Sequence, residues 1–316
     1  MSDLEDTPRS PEFGSPPAPD RALQPVELAD DEPAELFQSW SQPEAVAAAR
    51  IPHLGHLCLL AALGVLGVVC AAVLIQIALH FHLYGVTTQE QAKGEIHYLL
   101  GSQAILYFAT LALSIFVFPL FWNKSFFAGI HWRGATALRL RWRLLATALG
   151  CFALAGLDST LLPGPSNAPI DEIFRSPGAA WLMFGFGITL APLCEEILFR
   201  GFLLPSFATA WDWVSERITG KRPLPLDENG HPRWSILAMA AASIITSLLF
   251  ALMHAEQTGK SIGPFLLLIT VSLVLCAVRI KTRSLAASTM VHAFYNFVLF
   301  FSMLVGTGGF RHLENM

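Results

Sequence analysis

The chain has 316 residues, of which 53% are hydrophobic and only 14% charged, and a formal net charge of −4. A soluble domain carries roughly a quarter charged residues, so the composition excludes an ordinary water-soluble globule. With no strongly basic patch, it also excludes a nucleic-acid partner.

In chain order, residues 1–50 come first, acidic and rich in Pro and Ser, as in "TPRSPEFGSPPAPD" and "ADDEPAEL". Such a segment buries too little apolar surface to offset its ordering entropy, which predicts a disordered tail. The basic start and apolar stretch of a signal peptide are missing. Residues 51–316 hold seven apolar segments at about 56–83, 98–121, 143–163, 178–211, 234–256, 262–280 and 284–308. Runs of about 20 apolar residues span a bilayer as helices. The expected fold is therefore all-α, a polytopic transmembrane helical bundle of about seven spans behind a disordered N-terminal tail.

The fourth segment, at about 34 residues, is longer than a bilayer needs, so it either protrudes or breaks near Gly187 or Pro192. Cys58, Cys70, Cys151, Cys194 and Cys276 lie in or beside apolar runs with no Cys-x-x-Cys pair. They read as small apolar side chains rather than a disulfide framework or a thiolate metal site. Arg133, Arg139, Arg141 and Arg143 lie between segments two and three, Arg217, Lys221, Arg222 and Arg233 between four and five, and Arg279, Lys281 and Arg283 between six and seven. Cationic connections stay cytoplasmic, which predicts the N-terminus inside and the C-terminus outside.

Three groups of polar residues interrupt the apolar segments. "EEILFR" holds Glu195, Glu196 and Arg200; Glu196 and Arg200 are four apart and share a helical face, whereas Glu195 is turned about 100° away. "FALMH" holds Phe250 and His254, and "HAFYN" holds His292 and Asn296. Each has a plain structural reading: a histidine hydrogen-bonding between helices, a glutamate–arginine pair bridging a buried interface. Two adjacent carboxylates, two histidines and an asparagine on three helices are a more demanding set. Ionisable groups at bilayer depth are costly and normally face a cavity and mark function.

Chemistry narrows that function without closing it. A glutamate flanked by histidine can take a proton from water, and histidine with a side-chain amide can donate to a developing oxyanion. This is equipment for hydrolysing an amide with no cofactor and no covalent intermediate. Zinc is the alternative, with Glu195, His254 and His292 as ligands, although the His-Glu-x-x-His spacing of zinc peptidases is absent. No Gly-x-Ser-x-Gly elbow offers a nucleophilic serine. A proton-coupled transporter or a non-proteolytic membrane scaffold also uses such buried groups.

Read together, E-E-x-x-x-R, F-x-x-x-H and H-x-x-x-N, in this order on separate apolar segments, make the sequence resemble the CPBP family of intramembrane proteases, related to CAAX prenyl protease 2. The resemblance covers about residues 178–300. It implies Glu195 as the general base that activates water and His254 as the residue that helps to hold it. It implies His292 and Asn296 as oxyanion donors, with Glu196, Arg200 and Phe250 as structural support. The implied substrate is a membrane-associated protein or peptide, prenylated CAAX proteins being among the family's substrates. The implied setting is the lipid bilayer, here a bacterial inner membrane. Depth along the helices poses a difficulty: from the cytoplasmic ends, Glu195 and His254 lie about 24 and 30 Å deep, but His292 only about 13 Å. The clusters meet only if segments four and five protrude.

Overall fold

The computed structural model describes residues 50–162, 177–225, 227 and 233–311. The expected disordered tail lies, but for Arg50, outside the described residues. Where backbone cannot be hydrated, every N–H and C=O must be satisfied within the element, which favours helices in an apolar chain. Among the described residues, all regular structure is helical.

Helix α1 (Leu54–His80) is followed by the short α2 (Gln89–Gly94), then α3 (Ile96–Trp122), α4 (Phe126–Gly129) and α5 (Gly134–Leu161). A broken fourth span contains α6 (Pro177–Ile188), α7 (Leu190–Glu196), a π-helical stretch Ile197–Leu203 and α8 (Leu204–Thr219). Helices α9 (Ile236–His254), α10 (Ile262–Thr282) and α11 (Leu285–Gly306) complete the bundle. Seven helical stretches, one of them the whole of Pro177–Thr219, are long and apolar enough to cross a membrane. Their outer faces carry large apolar side chains such as Phe116, Leu120 and Ile236, exposed by 76%, 81% and 90%. A continuous apolar exterior of this kind suits lipid and not water. The protein is an integral membrane protein.

The spans follow the sequence reading closely except at the end of the fourth, which runs on to Thr219, and in α5. This helix starts nine residues early, so Arg139, Arg141 and Arg143 stand within it rather than in a loop. All three are exposed; Arg141 Nη1 donates to the Leu138 carbonyl at 3.0 Å, and its guanidinium sits 5.5 Å from the Trp142 ring.

Helix α1 packs chiefly on α3, α11 on α5, and α9 on α8 and α10. The buried face of α9 is built from Ala238, Ala242, Ser243, Thr246 and Ser247. Small side chains let membrane helices approach closely. A second cluster joins Phe118 and Trp122 of α3, Phe126 of α4, and Ile197 and Phe202 of the π stretch. It presses the glutamate-bearing segment against the first two spans. At the far end of α8, Arg50 pairs with Glu216 at 2.8 Å, and Asp212 accepts from Ser235 N and Oγ at 2.9 and 2.6 Å. That arrangement caps α9.

Candidate active site

The fourth span is interrupted where the site begins. Thr189, at φ −123° and ψ −82°, leaves the helical region and separates α6 from α7. Pro192 therefore falls in the first turn of a new helix, where its missing N–H costs nothing. The break lies between the two positions considered from sequence. Glu195 and Glu196 end α7, and the π stretch follows at once. Such widened turns occur mostly at functional sites, and no feature of "ILFRGFL" announces one.

Glu196 and Arg200 are both fully buried. Arg200 Nη1 donates to Glu196 Oε1 at 2.7 Å, and Nη2 donates to Ser272 Oγ at 2.7 Å and to the Ser272 carbonyl at 3.2 Å. The guanidinium carbon also lies 4.9 Å from the Phe250 ring centre, close enough for cation–π attraction. Glu196 Oε1 has a second neighbour, His292 Nδ1 at 3.1 Å. Glu196 thus joins Arg200 to His292. Ser272 escaped the sequence reading because a lone serine in an apolar helix usually bonds to its own backbone.

Glu195 points elsewhere, as its rotation requires. Its Oε2 lies 3.8 Å from His254 Nε2 and 3.8 Å from His292 Nε2. The other nitrogen of each ring fixes the tautomer. His254 Nδ1 sits 2.8 Å from the Phe250 carbonyl, which only accepts, so Nδ1 carries the hydrogen. His292 Nδ1 faces a carboxylate oxygen already held by Arg200, so it too is the donor. In the neutral rings both Nε2 atoms present lone pairs to Glu195 Oε2. Three electron-rich atoms converging on one point need a proton, a water or a cation between them.

Phe250 is the wall behind this trio. Its ring centre lies 4.5 Å from that of His254, 5.8 Å from His292 and 5.0 Å from Phe199. Asn296, one turn beyond His292, takes a different partner: its Nδ2 donates to the Gly187 carbonyl at 2.7 Å, just before the helix break. One amide hydrogen therefore anchors the broken span. The carbonyl of Gly187 was not identifiable from sequence as part of this arrangement. Helix α8 continues to Thr219, eight residues past the expected end of the fourth segment, so an end that extends beyond the apolar layer is what lets Glu195 stand level with His292, 3.8 Å away. Glu195 is correspondingly farther from that end, and the three clusters meet.

An apolar cavity of about 270 Å³ adjoins the site, lined among others by Leu57 and Leu60 of α1, Leu106 and Tyr107 of α3, and Cys194 and Ile197. Cys194 immediately precedes Glu195. Among the described residues, no three His, Cys, Asp or Glu side chains gather at metal-centre spacing. The donor chemistry of Glu195, His254 and His292 nevertheless suits zinc, since each histidine has its second nitrogen held by an acceptor, as ligating histidines do.

Residues 177–298 match the family model described as "Rce1-like: Type II CAAX prenyl endopeptidase Rce1-like". No curated protein and no solved structure matches the chain. The matched segment runs from the start of α6 into α11 and includes all three polar clusters. Over that segment, this integral membrane protein is similar to the type II CAAX prenyl endopeptidases.

Proposed function

We propose that the protein is an intramembrane endopeptidase in which Glu195 activates water against a peptide bond of a membrane-associated substrate. The observation that carries this reading is the convergence of His254 Nε2 and His292 Nε2 on Glu195 Oε2, each at 3.8 Å. The relation to CAAX proteases and the apolar cavity beside Cys194 support it. A cavity of about 150 Å³ already takes a benzene-sized group, so the space here suits a bulky apolar side chain or a prenyl group near the scissile bond.

With both histidines neutral, Glu195, Glu196 and Arg200 sum to one negative charge. The course requires a proton on His292 Nε2, the ring nitrogen that faces Glu195. A water between Glu195 and His254 gives one proton to Glu195 while its oxygen bonds to the peptide carbon, and the carbonyl electrons move onto oxygen. The His292 imidazolium and the second amide hydrogen of Asn296 stabilise that oxyanion. Collapse restores the carbonyl, breaks the C–N bond and expels the amine, which takes the proton from Glu195. Glu196 and Arg200 position His292, while Phe250 holds both rings.

A second reading is favoured by the two histidine tautomers. Glu195, His254 and His292 would hold a zinc ion, which would supply Lewis-acid activation of water. The metal-free course is preferred because the His-Glu-x-x-His pattern is absent and the two histidines stand on separate helices. The orientation with the N-terminus in the cytoplasm and the setting in a bacterial inner membrane belong to the same proposal.

The test is turnover in lipid nanodiscs of a panel of apolar fluorogenic peptides, with and without an S-prenyl cysteine. Wild type should cleave at least one peptide and Glu195→Ala none. Equal cleavage by both proteins would remove Glu195 from the chemistry. Proton-driven uptake into proteoliposomes without cleavage would favour a transporter.

A further inference from the structure

Outside the site, the buried cation Arg279 has no counter-charge in hydrogen-bond contact among the described residues. Arg279, on the last turn of α10, is only 8% exposed. Among the described residues, its one hydrogen bond joins Nη2 to His131 Nδ1 at 3.1 Å, and its Nε has no partner. Guanidinium only donates, so His131 accepts through Nδ1 and its ring contributes no negative charge here. Arg279 cannot shed its proton to relieve burial. Glu196, a carboxylate that acts on it favourably, is already bound to Arg200 and His292.

The surroundings are held firmly. Leu285 N donates to the His131 carbonyl at 3.0 Å, and Ser284 Oγ donates to the Arg133 carbonyl at 2.9 Å. The turn between α10 and α11 is thereby fastened to the loop that begins α5. Lys281 continues the basic run beside Arg283, which is paired with Asp227, and the outer face of α5 shows Leu138 and Trp142, exposed by 61% and 69%. A buried guanidinium, a basic rim and an adjoining apolar outer face match the two ends of an amphiphile.

We propose that Arg279 and His131 form a phosphate site that holds the headgroup of an anionic phospholipid at the arginine-rich end of the bundle. A guanidinium pairs with phosphate through two parallel hydrogen bonds, and basic pockets between membrane helices bind anionic headgroups. Lipid is the source because Arg279 stands at the end of a spanning helix, where headgroups meet the protein, and because Leu138 and Trp142 offer its chains a surface.

The experiment is thermal unfolding of the whole chain in nanodiscs of phosphatidylcholine alone and with increasing phosphatidylglycerol, alongside native mass spectrometry of retained lipid. Wild type should show a saturable rise in melting temperature and keep phosphatidylglycerol with about a tenfold preference, a factor equivalent to 1.4 kcal/mol. Arg279→Gln should lose both effects. Arg279→Lys keeps the charge but not the paired donors, and should lose most of the preference. Arg141→Gln, which removes one exposed charge from α5, should behave as wild type. If Arg279→Gln does not fold, the wild-type titration and Arg279→Lys decide the matter. An unsaturable rise, or equal losses in Arg141→Gln and the Arg279 variants, would overturn the site in favour of general surface charge. An equal effect from inorganic phosphate, or displacement of lipid by a peptide with a free carboxyl terminus, would overturn lipid as its occupant.

Discussion

Replacing Glu196 by Gln exchanges one carboxylate oxygen for an NH2 group and leaves Arg200 buried without its counter-charge. Arg200 and Glu196 are both at 0% exposure, joined at 2.7 Å, so no solvent screens the change. Removing one partner of a buried pair costs about 3–5 kcal/mol. The two hydrogen bonds to Ser272 and the Phe250 ring remain, but neither carries a negative charge, so the lower half of that range is the floor. His292 also loses a charged acceptor, a bond worth about 1.5–3 kcal/mol that overlaps the first loss and does not simply add to it. At roughly 2–4 °C per kcal/mol for a chain of this size, Glu196→Gln should melt about 10 °C below wild type. The assay is unfolding of both proteins in one detergent. A melting temperature within about 2 °C of wild type would refute the assignment of Glu196 as the charge that holds Arg200.

Gly263 begins α10 against the end of α5, and a Cβ there would lie 2.5 Å from the Leu162 carbonyl oxygen. Gly263→Ala should cost about 1–3 kcal/mol of stability through overpacking, and a raised melting temperature would contradict that contact. Extensive chelation should leave peptidase activity intact, with well under one zinc per chain; stoichiometric zinc whose removal and return switch activity off and on would establish Glu195, His254 and His292 as its ligands. Reporter fusions after Gly220 and after Gly308, which are separated by α9, α10 and α11, should report the cytoplasmic and external sides respectively, and the same side for both would break the span count.

The helices were legible because apolar length is a strong signal, and the fourth segment, read as 178–211, stood out as too long for one ordinary crossing; it runs over Pro177–Thr219. The start of α5 was not, because Arg139, Arg141 and Arg143 depress local hydropathy although all three are exposed on the helix. The two faces of the glutamate pair were readable from a 100° step per residue, and the structure puts Glu196 on Arg200 and Glu195 toward the histidines. The π stretch was invisible, since it arises from how Phe199, Arg200 and Phe202 are accommodated by neighbouring spans. Asn296 shares a face with His292 as expected, but its bond to the Gly187 carbonyl depends on a helix break whose position no local motif marks. Ser272 and His131 were missed because each matters only through an arginine remote in sequence.

Glu195→Gln separates chemistry from structure most directly. The substitution keeps size and hydrogen-bonding capacity, and Glu195 has no arginine partner among the described residues, so the fold should not change. Turnover of a peptide that wild type cleaves, measured with melting temperature on the same preparation, should fall by about 10² or more, the scale of general-base catalysis, at unaltered stability. Turnover within a few-fold of wild type in a folded Glu195→Gln protein would contradict glutamate-activated water as the basis of the activity.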